Sequence, residues 1–135
     1  MKVLVDTSVW SLALRRKAPQ HAAVDELRRL VAGGRAAMVG IVRQEILSGI
    51  RDAAAFEHLR EQLRAFPDEP VATADYEPAA AFYNACRGKG VQGSNTDFFL
   101  CALSANHRMP ILTTDVDFTR FAKLLSIELH SVATS

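Results

Sequence analysis

Four acidic residues are the part of this sequence with the clearest chemical potential. They are spread along the chain at Asp6, Glu45, Asp97 and Asp115. Asp6 directly follows a short apolar run at residues 2–5, and Asp115 lies two residues after another at residues 110–113. Such runs predict buried β-strands. In parallel α/β sheets, ligands bind beyond the carboxyl ends of the strands. The sequence therefore predicts that the fold delivers carboxylates to one edge of a sheet.

Carboxylates that are brought together have a defined chemistry. They repel one another, which raises their pKa values and costs stability unless a cation binds between them. Oxygen ligands without an accompanying His or Cys favour Mg²⁺ or Mn²⁺ over Zn²⁺. Such ions polarise phosphoryl oxygens and lower the pKa of bound water. The predicted reaction is hydrolysis of a phosphodiester.

Each acid also has a purely structural interpretation. Asp6 and Asp115 can cap the helices that follow them, and Asp97 can be a favourable first-turn acid. Glu45 can pair with Arg43 or Arg51. The joint placement favours the metal site, because carboxylates are rarely buried without a partner.

The elements that would position these acids alternate between strand and helix. Strands are predicted at residues 2–6, 36–40, 110–113 and 126–130, with helices between them. The helix after Ser94 is apolar nearly all round at residues 98–103, so it should be central and buried. Two helices within residues 41–66 should form a projecting hairpin. This βα alternation predicts an α/β fold with a parallel sheet and helices on both faces.

Composition sets the broad class of protein. With 135 residues, 49% of them hydrophobic and 23% charged, the chain is predicted to be one globular domain over residues 1–135. Its apolar stretches are shorter than the roughly 18 residues of a membrane span, and no signal peptide is expected. Cys86 and Cys101 lack zinc or disulfide spacing. We therefore expect reduced thiols, a cytoplasmic location and no membrane association.

The charge balance is informative once the four acids are set aside. Sixteen Lys and Arg face fifteen Asp and Glu, and removing four metal-binding acids leaves 16 against 11. A basic surface around an acidic, metal-filled centre suits a polyanionic substrate. Ordinary solvated surface is the alternative interpretation of the same residues.

Four segments of the sequence together resemble PIN-domain ribonucleases, and most closely the VapC-type toxins of bacterial type II toxin–antitoxin (VapBC) pairs. These segments are residues 3–10, 44–49, 96–97 and 112–118. The resemblance implies a PIN-like fold with four to five short parallel strands. It also implies a Mg²⁺- or Mn²⁺-dependent endoribonuclease that forms a homodimer and is neutralised by a cognate VapB-type antitoxin. The helical hairpin would offer the antitoxin a docking surface.

The resemblance assigns roles to individual residues. Asp6, Glu45, Asp97 and Asp115 match the four catalytic acids of the family. Of these, Asp6, Asp97 and Asp115 are the expected direct metal ligands, and Glu45 is expected to act through water or to orient the nucleophile.

Two further groups of residues are expected to assist. The predicted supporting residues are Ser8, Thr114 and Asp117. Capping and turn formation are the alternatives for Ser8 and Thr114, and Asp117 is a spare carboxylate two residues further from the strand end than Asp115. The predicted RNA contacts are Arg43, Arg51, Arg87 and Lys89.

Two other functions are compatible with the sequence. A PIN-like or flap-type nuclease acting on DNA would use the same acids. A non-catalytic metal-binding module of the receiver type would use Asp6 or Asp115 for regulation, although it would be expected to carry paired acids after the first strand.

Overall fold

The computed structural model describes residues 1–15, 17 and 20–132. Strands and helices alternate along the chain, and the predicted α/β class is confirmed. The elements in chain order are β1 (Val3–Val5), α1 (Thr7–Ala13), α2 (Ala22–Ala32), β2 (Ala36–Ala37), α3 (Gly40–Leu47), α4 (Ala53–Leu63), α5 (Thr73–Arg87), α6 (Asn95–His107), β3 (Ile111–Leu112) and α7 (Asp117–Leu124).

The sheet is parallel, and β1 lies at its centre. The strand order is β2-β1-β3, with Leu4 opposite both Ala37 and Ile111. All three residues of β1 are fully buried, as expected for a strand covered by helices on both faces. Because the strands are parallel, their carboxyl ends share one edge, where Asp6 follows β1.

The prediction of four to five strands is wrong for the described part of the chain, which has three. The segment predicted as a strand at residues 126–130 forms only a parallel bridge between Leu129 and Ile111. Met38 similarly makes a single bridge to Asp68. Each bridge joins one residue pair beside a two-residue strand, so neither segment forms a further strand of the sheet.

The helix α6 is central, as its composition predicted. Its residues from Phe98 to Ser104 are all buried, and α5 packs along it. Ser94 caps its first turn and Arg108, in the left-handed conformation, ends it. Within the described residues, no helix combines the length and the hydrophobicity needed to cross a bilayer.

The predicted hairpin consists of α3 and α4, and its base is held by Arg43. The guanidinium donates to the carbonyl oxygens of Leu63 (2.9 Å) and Phe66, and to Asp68 Oδ1 at 3.0 Å. Val42 of α3 is fully buried in the core. Arg43 therefore fixes the hairpin to the body of the protein.

A buried carboxylate joins α5 to the far end of α6. Asp75 Oδ1 accepts from Asn106 Nδ2 at 3.1 Å and lies 2.9 Å from His107 Nε2, while Oδ2 accepts from the Ala72 backbone at 2.9 Å. Burial acts to raise the pKa of Asp75, but these hydrogen bonds outweigh it and hold the pKa below its ordinary value. The carboxylate thus stabilises the packing of α5 on α6.

Replacing this carboxylate should destabilise the fold. For Asp75→Asn we expect a loss of about 1–3 kcal/mol of unfolding free energy near pH 7, because buried donors lose an acceptor. Since the folded-state pKa is lowered, the carboxylate stabilises the fold above the unfolded pKa of 3.8, and this contribution disappears as the pH falls below that value. Urea unfolding at several pH values measures both effects.

The exposed-pair control Glu61→Gln should change the unfolding free energy by less than about 0.5 kcal/mol. Equal effects of the two variants would contradict the assignment.

Candidate active site

The carboxyl edge of the sheet brings the four predicted acids together. Asp6 follows β1, Asp115 follows β3, Glu45 projects from α3 and Asp97 lies in the first turn of α6. All four line one open depression of about 470 Å³, together with Thr7, Ser8, Ile41, Gln44 and Ser48. We call this depression the acidic pocket. The structure thus places on one surface residues that are up to 109 positions apart in the sequence.

Asp6 is held by two hydroxyl groups. Its Oδ2 accepts from Ser8 Oγ at 2.7 Å and from Thr113 Oγ1 at 2.8 Å. Each hydroxyl in turn accepts a backbone N–H, from Thr114 at 3.1 Å and from Asp115 at 3.0 Å respectively. Because both hydroxyl hydrogens are directed at Oδ2, the orientation of this buried carboxylate is fixed.

The other three acids are each held through one oxygen. Glu45 Oε1 accepts from Thr7 Oγ1 at 2.6 Å, and Asp97 Oδ2 accepts from the Ser94 backbone at 3.0 Å. Asp115 Oδ1 accepts from the backbone N–H of Asp117 at 2.9 Å. Within the described residues, each of the four acids therefore keeps its second carboxylate oxygen without a hydrogen-bond partner.

The charges of the pocket act on Asp97. Burial, followed by the negative charges of Asp6 and Asp115, raises the pKa of Asp97 above its ordinary value, and the bonds from Ser94 only partly oppose this. The same carboxylate closes a capping box with Ser94, so its predicted structural role is also present. Asp97 is thus held in place by a helix cap while lying in an unfavourable electrostatic environment.

The donor set suits a divalent cation that prefers oxygen. The pocket offers carboxylate and hydroxyl oxygens, and a cation would relieve the repulsion from Asp6 and Asp115 that adds to the effect of burial in raising the pKa of Asp97. The acids do not form a closed cage: among the described residues, no three His, Cys, Asp or Glu side chains are grouped closely enough to hold a metal ion. The residues fit such an ion by the chemistry of their oxygen donors rather than by a cage already assembled around it.

The predicted supporting residues lie in different positions. Ser8 contacts Asp6, as described above, whereas Thr114 contributes its backbone N–H rather than its hydroxyl. Asp117 contributes the backbone N–H that holds Asp115, and its carboxylate does not line the acidic pocket.

The predicted RNA contacts fall into two groups. The guanidinium of Arg43 is bound at the base of the hairpin, and Arg43 does not line the acidic pocket. Arg51, Arg87 and Lys89 are exposed.

Two positioning residues were missed from the sequence. Thr113 and Thr7 hold Asp6 and Glu45 respectively. Both are hydroxyl residues that lie close to acids near the strand ends. The sequence therefore contains a signal that could have identified them as positioning residues. Choosing Thr113 over Thr114 requires knowing which side chain faces the pocket, and this depends on the conformation of the strand end.

A model of the PIN domain matches residues 3–124, which is most of the chain. The chain belongs to the PIN-domain family. The predicted family is therefore confirmed, and with it the α/β fold in which helices flank a parallel sheet. PIN-domain ribonucleases generally depend on divalent metal ions.

Individual relatives narrow this assignment. The PIN domain described here is 33% identical, over 134 residues, to VapC ribonuclease Mb1587 of Mycobacterium bovis and to ribonuclease VapC11 of Mycobacterium tuberculosis. The alignment covers 96% of this chain and 98% of each relative. The resemblance to VapC-type ribonucleases is thus confirmed over nearly the full length.

A solved structure shares the fold. FitAcB from Neisseria gonorrhoeae superposes with a TM-score of 0.76 at 16% identity, and the match covers 96% of both chains. At this identity the likeness concerns the fold alone. It supports the PIN fold independently of the sequence motifs.

Proposed function

We propose that this PIN domain is a toxin-type endoribonuclease that hydrolyses RNA phosphodiester bonds at the acidic pocket with Mg²⁺ or Mn²⁺. The single observation that carries the proposal is the convergence of Asp6, Glu45, Asp97 and Asp115 on one pocket, where one oxygen of each carboxylate has no hydrogen-bond partner among the described residues. The full-length similarity to VapC ribonucleases supports the choice of RNA.

The residues of the pocket have separate tasks in this mechanism. The free oxygens of Asp6, Asp97 and Asp115 would hold the cation. When bound, such an ion polarises a phosphoryl oxygen and lowers the pKa of water. Glu45 is exposed and is anchored through Oε1 by Thr7, so its Oε2 is free to accept a proton from the attacking water or to orient it.

The substrate backbone requires positive charge near these acids. Arg51, Arg87 and Lys89 remain the proposed contacts, since all three are exposed and none has a carboxylate within 4.0 Å among the described residues. Where such a cation contacts a phosphate, it positions the strand without selecting its sequence.

The proposed partners are a cognate VapB-type antitoxin and a second copy of this chain. A groove of about 630 Å³ between the end of α1 and α4 includes Leu14, Ile50 and Leu59, and it supports docking of an amphipathic antitoxin helix on the hairpin. We place the protein in the cytoplasm, and its two free, buried thiols, Cys86 and Cys101, suit that reducing compartment.

Cleavage of total cellular RNA by purified, antitoxin-free protein with Mg²⁺ or Mn²⁺ tests the proposal. We expect discrete cuts whose mapped ends identify the target, and no cuts with an Asp115→Asn variant. DNA of the same sequence is the competing substrate. Faster cleavage of that DNA would show that DNA, not RNA, is the substrate. If the protein binds metal but cleaves neither RNA nor DNA, the proposal is overturned.

Loss of the Thr113 hydroxyl should impair the site without unfolding it. Thr113→Val keeps the shape but removes one donor to Asp6, and changes of this kind typically cost 10- to 100-fold in metal affinity or activity. The measurements are kcat/KM for RNA and metal affinity by calorimetry. Thr113→Ser should recover most of the loss, whereas the exposed control Thr119→Val should have no effect. An active Thr113→Val protein would show that Ser8 alone positions Asp6.

A further inference from the structure

A second depression lies between the carboxyl end of α5 and the first turn of α6. It encloses about 190 Å³, and its lining residues are Tyr83, Arg87, Val91, Gln92, Gly93 and Phe98. None of these residues lines the acidic pocket. We call this depression the 83–98 pocket.

We propose that the 83–98 pocket binds one nucleobase of the RNA strand beside the cleaved phosphodiester, and so sets the base preference of the enzyme. This inference rests on the proposed ribonuclease function. It assigns a role in sequence selection to Gln92 and Arg87.

The lining has the two components that recognition of an unpaired base requires. Val91 and Tyr83 are half-buried and provide apolar and aromatic surface, and Phe98, which also lines the pocket, is buried. Gln92 is exposed, and its amide can both donate to and accept from a base edge. Single-stranded RNA is read by this combination of aromatic packing and hydrogen bonds to base edges.

Arg87 adds an available cation at the rim. One of its terminal nitrogens lies 3.3 Å from the Tyr83 hydroxyl, and no carboxylate of the described residues forms a salt bridge with it. A guanidinium can stack on a base or bind a phosphate through two parallel hydrogen bonds. The group is therefore free to contact the nucleotide whose base enters the pocket.

The loop that lines the pocket is held in place by its packing and by a backbone hydrogen bond. A Cβ atom at Gly93 would lie 2.6 Å from Phe121 Cζ and 3.0 Å from Phe98 Cε2, so the loop packs directly on these rings. The Val91 backbone N–H also donates to the Cys86 carbonyl at 2.9 Å, which ties the loop to α5. A preformed pocket binds its ligand with less loss of conformational entropy.

The pocket lies close to the proposed reaction site along the chain. Gly93 immediately precedes Ser94, whose backbone N–H contacts the carboxylate of Asp97. Consecutive Cα atoms are about 3.8 Å apart, so one wall of the pocket is within a residue of a group that touches a catalytic acid. The volume of about 190 Å³ is below the roughly 300–1,000 Å³ of sites for drug-sized ligands, and it suits a base rather than a whole nucleotide.

A first experiment tests base binding without requiring cleavage. The four nucleoside 5′-monophosphates and ribose 5-phosphate are titrated separately into the labelled protein, and backbone amide shifts are followed by NMR. We expect one base to shift the amides of residues 91–93 and 98 at a concentration at least fivefold below the others. Gln92→Ala should weaken that binding at least fivefold, and the exposed control Gln62→Ala should not. Shifts equal to those with ribose 5-phosphate, or no shifts there, would overturn the inference.

A second experiment connects the pocket to sequence choice. Cleavage sites in a randomised RNA are mapped for the unmodified protein, Gln92→Ala and Arg87→Gln. We expect the two variants to lose the base preference at one position near the cut and to keep it at the other positions. If both variants cleave RNA with an unchanged base preference, the proposed role of the 83–98 pocket is wrong and the ribonuclease proposal remains intact. Selective base binding by a protein that cleaves no RNA would overturn the ribonuclease proposal while supporting the pocket.

Discussion

Asp97→Asn should lower kcat/KM for RNA by about 10³-fold or more while leaving the fold at least as stable. Loss of a metal-ligating oxygen removes several kcal/mol of transition-state stabilisation, and each 1.36 kcal/mol corresponds to a tenfold change in rate. The fold should tolerate the change, because an Asn oxygen can still accept the Ser94 backbone N–H that closes the capping box. Cleavage assays and thermal unfolding of metal-free protein measure the two effects.

The stability effect of this variant should depend on pH. Burial and the charges of Asp6 and Asp115 raise the pKa of Asp97, so ionised Asp97 destabilises the metal-free fold. This penalty is complete well above the raised pKa and is relieved as the pH falls through it. The stability advantage of Asp97→Asn should therefore be largest at neutral pH and decrease in acid.

A matched control separates the active-site effect from the loss of any surface carboxylate. Glu61→Gln removes an exposed carboxylate that pairs with Arg64, and it should leave both cleavage and stability essentially unchanged. An Asp97→Asn protein that retains cleavage within tenfold would contradict the assignment of Asp97 as a ligand.

Removal of divalent metal should abolish cleavage, and its return should restore cleavage and raise the melting temperature. Binding to the folded state alone stabilises it by about 2.7 kcal/mol at 100 times the dissociation constant. Mg²⁺ and Mn²⁺ should be effective because the acidic pocket supplies oxygen ligands. Chelation followed by titration with each ion, read by cleavage and by thermal unfolding, measures the effect.

Asp6→Asn is the control for the location of the metal. Its amide oxygen can still accept the hydroxyls of Ser8 and Thr113, so the variant should fold, but its melting temperature should no longer respond to the ion. An equal response in Asp6→Asn would place the metal elsewhere, and no response in the unmodified protein would contradict a metal site in this fold.

The sequence predicted most of the architecture because apolar periodicity reports directly on burial. The run from Phe98 to Leu103 predicted a central helix, and Phe98 and Leu103 are buried. The number of strands was overestimated for a physical reason. Apolar residues at 126–130 indicate burial beside the sheet, but pairing length depends on the partner strand, and β3 has only two residues.

The sequence alone indicated the family through four short motifs that resemble PIN-domain ribonucleases, and it named the four acids that line the acidic pocket. Only the tertiary structure decided which groups orient those acids. Thr113 rather than Thr114 donates to Asp6, and Arg43 serves the hairpin instead of facing the acidic pocket. The 83–98 pocket likewise depends on tertiary packing, in which Phe121 of α7 lies against Gly93. Such contacts join residues far apart in the chain, and their geometry depends on the packing of whole elements, which no local pattern specifies.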